Sequence, residues 1–375
     1  MKFKISSSLF LTHLQAISRV INSKNTMPIL DNFLFNIQGN ELLMTASDGD
    51  TTMVTKVELL ESEGNGIFAV PAKTLLDPLK ELPDQPLTFL INDESLEIEI
   101  RFENGKNTFV GINVDELPMK KTMSDDAETF TINSQVLMNG ITRTIFATAD
   151  DELRPVMNGI YLDIFPDEIV FVASDSHKLV RSKNVSVKTG MKASFILPKK
   201  PANLLKGILP KETGDVEVSF DDKNAMFKLA SFEVSCRLIE GRFPNYASVI
   251  PTNHPNKLIV DRVLFMNVLR RVSVFSNPAS AWVKLELSND KMVVSAQDID
   301  FSTAAVESIT CNYNGDAMSI GFKATFLIEI LNYISSQDVI VELADPSRAG
   351  LILPVENAEN EDLLMLLMPM MLTDF

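Results

Sequence analysis

A pattern that returns three times limits what this chain can fold into more than any single motif does, because a repeated unit has to bury the same kind of face each time. The stretches LLMTASDGDTTMV (42–54), IVFVASDSHKLV (169–180) and MVVSAQDIDFST (292–303) each run from an apolar, strand-like segment to an aspartate. Those aspartates are Asp48, Asp175 and Asp298, spaced by 127 and 123 residues. FAVPAKTLL (68–76), FILPKKPANLL (195–205) and SIGFKATFLIEIL (319–331) repeat a strand leading into a helix, and Pro118, Pro244 and Pro369 close the copies. Domains are expected over 1–122, 123–250 and 251–375, with junctions at the polar stretches 120–128 and 251–257. A chain of 375 residues also exceeds what one core usually supports.

Each copy opens with the same amphipathic period. Leu14, Ile17 and Ile21, then Met138, Ile141 and Ile145, then Phe265, Val268 and Val272 follow the i, i+3, i+7 spacing of a helix lying on a core. The alternating segments NFLFNI, GIYLDI and VKLEL read as antiparallel strands. A second helix and further strands follow in each copy, so every unit is helix plus strands, twice, and the fold class is α+β. Two cysteines without CxxC spacing argue for a reducing compartment and against disulfides or structural zinc. No apolar run approaches a membrane span and MKFKISSSLF lacks a signal-peptide core, so the expected location is cytoplasmic, away from membranes.

A net charge of −16 argues against nucleic acid unless the charges are segregated. They are: the expected helices 7–24, 72–82, 134–148, 199–211, 261–275 and 323–335 hold 13 Lys and Arg against 4 Asp and Glu. Arg19, Arg143 and Arg270 each stand two residues from their apolar stripe, a turn of about 200°, and so point away from the core. Lys73, Lys199, Lys200 and Lys323 begin the second helices. A summed basic excess on the helices of an acidic protein suggests a shared basic surface facing a polyanion.

The segment VASDSHKLV (172–180) gathers Ser174, Asp175, Ser176 and His177 and so resembles a catalytic cluster. The aspartate recurs in copies that lack the histidine, which assigns it to turn geometry. No Walker A, HExxH, Rossmann or G-x-S-x-G pattern accompanies it, and no enzymatic activity is expected. His177 reads as a pocket wall.

MPILDN (27–32), DSHKL (175–179), GRFPNY (241–246) and MPMML (368–372), set on the threefold repeat, resemble the bacterial DNA polymerase III beta subunits, the sliding clamps, over essentially the whole chain. The resemblance implies three clamp domains, each with two helices on antiparallel sheets, and a homodimer assembled head-to-tail into a closed ring around double-stranded DNA, read without sequence specificity. Twelve helices about 10 Å across would leave a hole of roughly 28 Å. It implies no cofactor and no metal. The implied partners are the DNA polymerase III alpha subunit, a clamp loader, and other DNA polymerases and repair proteins that dock through short peptide motifs.

The resemblance also assigns residues. The docking pocket takes Met157, Ser174, Ser176, His177, Lys178 and Leu179 from the middle copy, and Pro244 and Val249 from the segment after it. Leu366, Met368, Pro369, Met370 and Leu372 come from the C-terminal tail, whose methionines suit a groove that accepts varied partners. DNA-facing candidates are Lys24 by resemblance, with Arg19, Arg143, Lys199, Lys200, Arg270 and Lys323. Phe109, Val274 and Phe275 are assigned to the ring interface. Ser176 replaces the family's usual glycine, Lys178, Ser248 and Met371 replace arginines, and Thr373 to Phe375 extend past the usual end, so the pocket is expected to be less basic and more apolar. The competing reading is an acidic repeat-built scaffold with no role on DNA.

Overall fold

The computed structural model describes residues 1–25, 27–112, 114 and 123–372. Pro118, the start of the expected first junction and the Thr373 to Phe375 extension lie outside the described residues. Among the described residues the α-helices are α1 (Ser7–Ser18), α2 (Ala72–Lys80), α3 (Ser134–Thr144), α4 (Lys199–Ile208), α5 (Arg262–Val272) and α6 (Ala324–Asn332). Each is shorter than expected from sequence. Three of them end in a separate 3₁₀ turn, Ile145–Ala147, Leu209–Lys211 and Ser273–Phe275, where the backbone tightens to satisfy its last carbonyls.

The chain packs as two compact units, Met1–Met138 with Lys200–Leu238, and Asn139–Lys199 with Ile239–Phe375. These divisions do not follow the repeats, because sheets continue across them. In the first unit, Phe232–Arg237 pairs antiparallel with Thr51–Glu58, Phe232 opposite Thr55, within an eight-stranded sheet. In the second, Lys178–Asn184 pairs antiparallel with Glu361–Leu367, Leu179 opposite Leu366, within a nine-stranded sheet. A five-stranded sheet completes the first unit and a four-stranded sheet the second.

The helices form where the apolar period requires a buried face. On α1, Phe10, Leu14 and Ile17 are buried, and Ser6 caps the first turn by accepting the Leu9 amide. Phe10 meets Phe35 and Phe89 edge-on, and Phe89 stacks on Phe3 at 4.4 Å between centroids. On α5, Phe265, Val268 and Val272 are buried and Asp261 caps Leu264 at 2.7 Å. Among the described residues no helix is long and apolar enough to cross a membrane.

Candidate functional site

The sharpest local construction in the second unit is the turn that joins the strands Glu168–Ser174 and Lys178–Asn184. Asp175 Oδ1 accepts the amides of His177 and Lys178, both at 2.9 Å, while Ser174 Oγ donates to the Lys178 carbonyl at 2.9 Å. Ser176 takes φ = +77°, the left-handed region that favours glycine. The two side chains this turn displays to solvent are Ser176 and His177. Leu179 and Lys178 alternate to opposite faces. Leu179 joins a buried apolar cluster with Leu366, Leu351, Leu364 and Phe243. Lys178 is 5% exposed, its ammonium 2.7 Å from Asp175 and 3.3 Å from Glu329, and 4.2 Å over the Phe326 ring.

The C-terminal tail runs along this turn. The Met368 amide donates to the His177 carbonyl and the Met370 amide to the Gly321 carbonyl, each at 2.8 Å. A Cβ at Gly321 would stand 2.8 Å from Leu372 and 3.0 Å from the Met370 carbonyl, so the glycine admits the tail. Leu366 is buried in the cluster beneath, whereas Met368 and Met371 are exposed. Met157 is buried and lies 3.7 Å from the Ser176 hydroxyl. Pro244 and Val249 are exposed, and Phe243, next to Pro244 in the chain, stacks on Tyr161 at 4.8 Å. Tyr246 donates to Asp163 at 2.8 Å. Burial pushes the Asp163 carboxyl up, and burial together with that carboxylate pushes the Tyr246 phenol up. The result is an apolar floor with a turn on one side and a methionine-rich tail on the other.

The basic candidates divide into two groups. Arg19 follows α1 as its C-cap residue, Lys24 lies beyond the helix, and both are exposed, as is Arg270. Arg143 is ion-paired with Glu361 and largely buried; Lys199 is 2.7 Å from Asp150. Lys200 is paired with Asp48 and donates to the Val20 carbonyl at 2.6 Å, closing the chain end after α1. Lys323 precedes α6 and lies 5.0 Å over Phe326. Neither α1 nor α6 carries a lysine or arginine. Phe109 sits in the strand Gly105–Val110 at a sheet edge, and Val274 and Phe275, in the turn after α5, are exposed.

Three family models match the chain in order: the N-terminal, central and C-terminal domains of the DNA polymerase III beta subunit, over residues 1–121, 131–245 and 247–371. The chain belongs to the DNA polymerase III beta subunit family. The beta sliding clamp of Pseudomonas aeruginosa is 27% identical over 373 residues, covering 99% of this chain and all of the relative. That of Haemophilus influenzae is 26% identical over 372 residues, with the same coverage. Among solved structures, the P. aeruginosa clamp bound to griselimycin superposes with a TM-score of 0.94 at 25% identity, and the Bartonella birtlesii clamp bound to griselimycin with 0.92 at 28%. Each comparison covers 99% of this chain and all of the other. The function is that of a DNA sliding clamp, a processivity factor of replication, and the scaffold reading is not favoured.

Sequence reasoning overlooked several residues that surround the turn at Asp175. Arg154 donates to the Ser176 hydroxyl and is 2.8 Å from Asp151; it comes from a loop with no periodic signal. Asp150, Asp151, Glu152, Arg154 and Asp175 border an open cavity of about 480 Å³ beside the turn. Phe326 faces His177 at 5.9 Å between ring centroids. Phe326 lies in the repeated segment SIGFKATFLIEIL, whose spacing marks a strand leading into a helix and nothing more. Phe243 could have been found from its neighbour Pro244 in GRFPNY.

Proposed function

We propose that two copies close head-to-tail into a ring that encircles double-stranded DNA without reading its sequence. The observation that carries this is a pair of open sheet edges. Gly105–Val110 edges the five-stranded sheet with Val110 62% exposed, and Thr303–Thr310 edges the four-stranded sheet beside exposed Phe301, Val306 and Val274. An unpaired edge with apolar side chains is a hazard to a monomer. Head-to-tail pairing of the two edges would cover both at once, with Phe109 against Val274 and Phe275. We keep domain limits of 1–122, 123–250 and 251–375, a reading supported by family models that match 1–121, 131–245 and 247–371. Arg19, Lys24, Arg270 and Lys323 are the cations we assign to the DNA side; Arg143, Lys199 and Lys200 serve there with their charge already partly offset. A diffuse surface of this kind holds phosphate while permitting sliding. Loaded on nicked circular DNA, the protein should be retained and should run off once the circle is cut. Equal loss from both forms would sink the ring.

The groove formed by Met157, Ser174, Ser176, His177, Leu179, Pro244, Val249, Leu366, Met368, Pro369, Met370 and Leu372 is our candidate dock for short apolar peptides of the DNA polymerase III alpha subunit, the clamp loader and other polymerases and repair proteins. Lys178 supports it from beneath. Griselimycin, bound in two related structures, is expected to bind this chain as well. We infer a non-catalytic role in the cytoplasm without cofactor or metal. Asp175, two residues before His177, is already committed to two backbone amides and a buried ammonium. Deleting Met368 to Phe375 should abolish capture of an alpha-subunit peptide while the protein remains a folded dimer.

A further inference from the structure

The two walls of the groove are joined to each other through α6 by a closed series of contacts. On the tail side, Met368 is held by the His177 carbonyl and Met370 by Gly321, each at 2.8 Å, and Gly321 lies in the strand Met318–Lys323 that runs directly into α6. On the turn side, Glu329 of α6 is 3.3 Å from the Lys178 ammonium, which is 2.7 Å from Asp175 Oδ2. Asp175 Oδ1 then fixes the amides of His177 and Lys178. Lys178 is 5% exposed, with its ammonium set between these two carboxylates and over the Phe326 ring, whereas Glu329 is 47% exposed and belongs to neither wall.

We propose that Glu329 is a positioning residue of the docking groove, holding the His177 turn at a fixed distance from the Met368 to Leu372 tail through Lys178 and Asp175. With Glu329 neutralised, the ammonium re-centres on Asp175 and loses its tether to α6. The turn still meets the tail through the Met368 amide on the His177 carbonyl and the pairing of Lys178 with Leu367, but without the tether to α6 its tip at Ser176 and His177 shifts more readily against a tail that remains anchored to the strand before that helix. Because coupling between sites is reciprocal, an occupied groove in turn holds Lys178 against Glu329.

This inference rests on the docking reading above, and the experiment separates the two. A fluorescent peptide from the alpha subunit of the same organism is titrated into the full-length protein, its Glu329→Gln and Lys178→Met variants and the double variant. Glu329→Gln should weaken the peptide three- to tenfold with no change in thermal midpoint, and the effect should vanish in the Lys178→Met background. Lys178→Arg, which keeps the charge, should retain most of the affinity. Amide exchange of residues 174–178 should quicken in Glu329→Gln even without peptide, which a merely surface role would not produce. Unchanged affinity and exchange, or an equal loss in both backgrounds, would overturn the proposal. A wild-type protein that fails to bind the peptide overturns the docking reading instead, and the exchange measurement then still decides the role of Glu329.

Discussion

The first and middle repeats build the same turn and use it differently. In the first, Asp48 Oδ1 accepts the amides of Asp50 and Thr51 at 3.0 and 2.7 Å, and Ser47 donates to the Thr51 carbonyl at 3.2 Å. In the middle, Asp175 and Ser174 make the matching bonds to His177, Lys178 and the Lys178 carbonyl. Asp298 of the third repeat caps Asp300 and Phe301 in the same way, at 3.0 and 3.3 Å. The shared part is therefore an aspartate cap that any of the copies needs to reverse its strands. What differs is the second carboxylate oxygen and the residue after the aspartate. Asp48 reaches the partly exposed Lys200 and is followed by Gly49 at φ = +94°; Asp175 reaches the buried Lys178 and is followed by Ser176. On the docking reading proposed above, a common corner becomes a wall of the groove by changing only what the corner does not need.

The largest effect expected from this contrast comes from deleting the two aspartates in turn. Asp175→Ala removes two caps and leaves Lys178 buried with Glu329 as its remaining carboxylate, which should cost about 3 kcal/mol in urea unfolding. Asp48→Ala removes the same two caps, but Lys200 can turn to water, so about 1–2 kcal/mol is expected. Equal losses would show that the buried ammonium contributes nothing special. Only the Asp175 variant should also lose peptide binding.

A smaller effect, of opposite sign in the two copies, is expected at the next position. Gly49→Ala places a side chain at φ = +94° and should destabilise by about 1 kcal/mol, although nothing obstructs the Cβ itself. Ser176→Gly relieves the left-handed backbone and gains up to about 1 kcal/mol, less what the hydroxyl bonds to Arg154 and Met157 supply. A stability gain accompanied by weaker peptide capture would mean that Ser176 is retained for the groove.

How much of this was legible in the sequence depended on whether a feature is local. The aspartate cap was, because Asx bonding reaches only two or three residues along the chain, and the threefold repeat exposed it. The stripes of α1 and α5 were legible for the same reason, with Phe10 completing a face whose expected member Ile21 lies past the end of the helix. Helix ends were read too long, since terminal 3₁₀ turns keep the apolar spacing while changing the hydrogen bonding. The partners of the cations could not be read at all. Lys200 with Asp48 and Arg143 with Glu361 are separated by 152 and 218 residues, and a lysine at the start of a helix looks the same in sequence whether it faces solvent or an aspartate. The face of Lys178 was decided by strand alternation that the functional resemblance obscured: Leu179 faces the cluster with Leu366 and Phe243, so its neighbour had to take the opposite face.

The smallest effect concerns pH and separates the surroundings of the two turns. The strand that leaves the first turn carries Thr55, whose single hydroxyl proton goes to the Ser231 carbonyl at 2.8 Å. His13 Nδ1, 2.6 Å from that hydroxyl, must therefore be the donor, and its ring stacks on Phe232 at 5.3 Å. Burial holds the His13 imidazole below its ordinary value, with Lys211 adding to the shift and Glu212 opposing it. A group that binds its proton less readily when folded favours unfolding in acid. Stability is thus full above the unfolded histidine value and declines as pH falls below about 6.5 toward the depressed folded value. His13→Gln should flatten that part of the thermal midpoint profile between about pH 7 and pH 5 while leaving the midpoint above pH 7 little changed. A profile that keeps its full slope in the variant would place the acid sensitivity elsewhere and remove His13 from the contrast between the repeats.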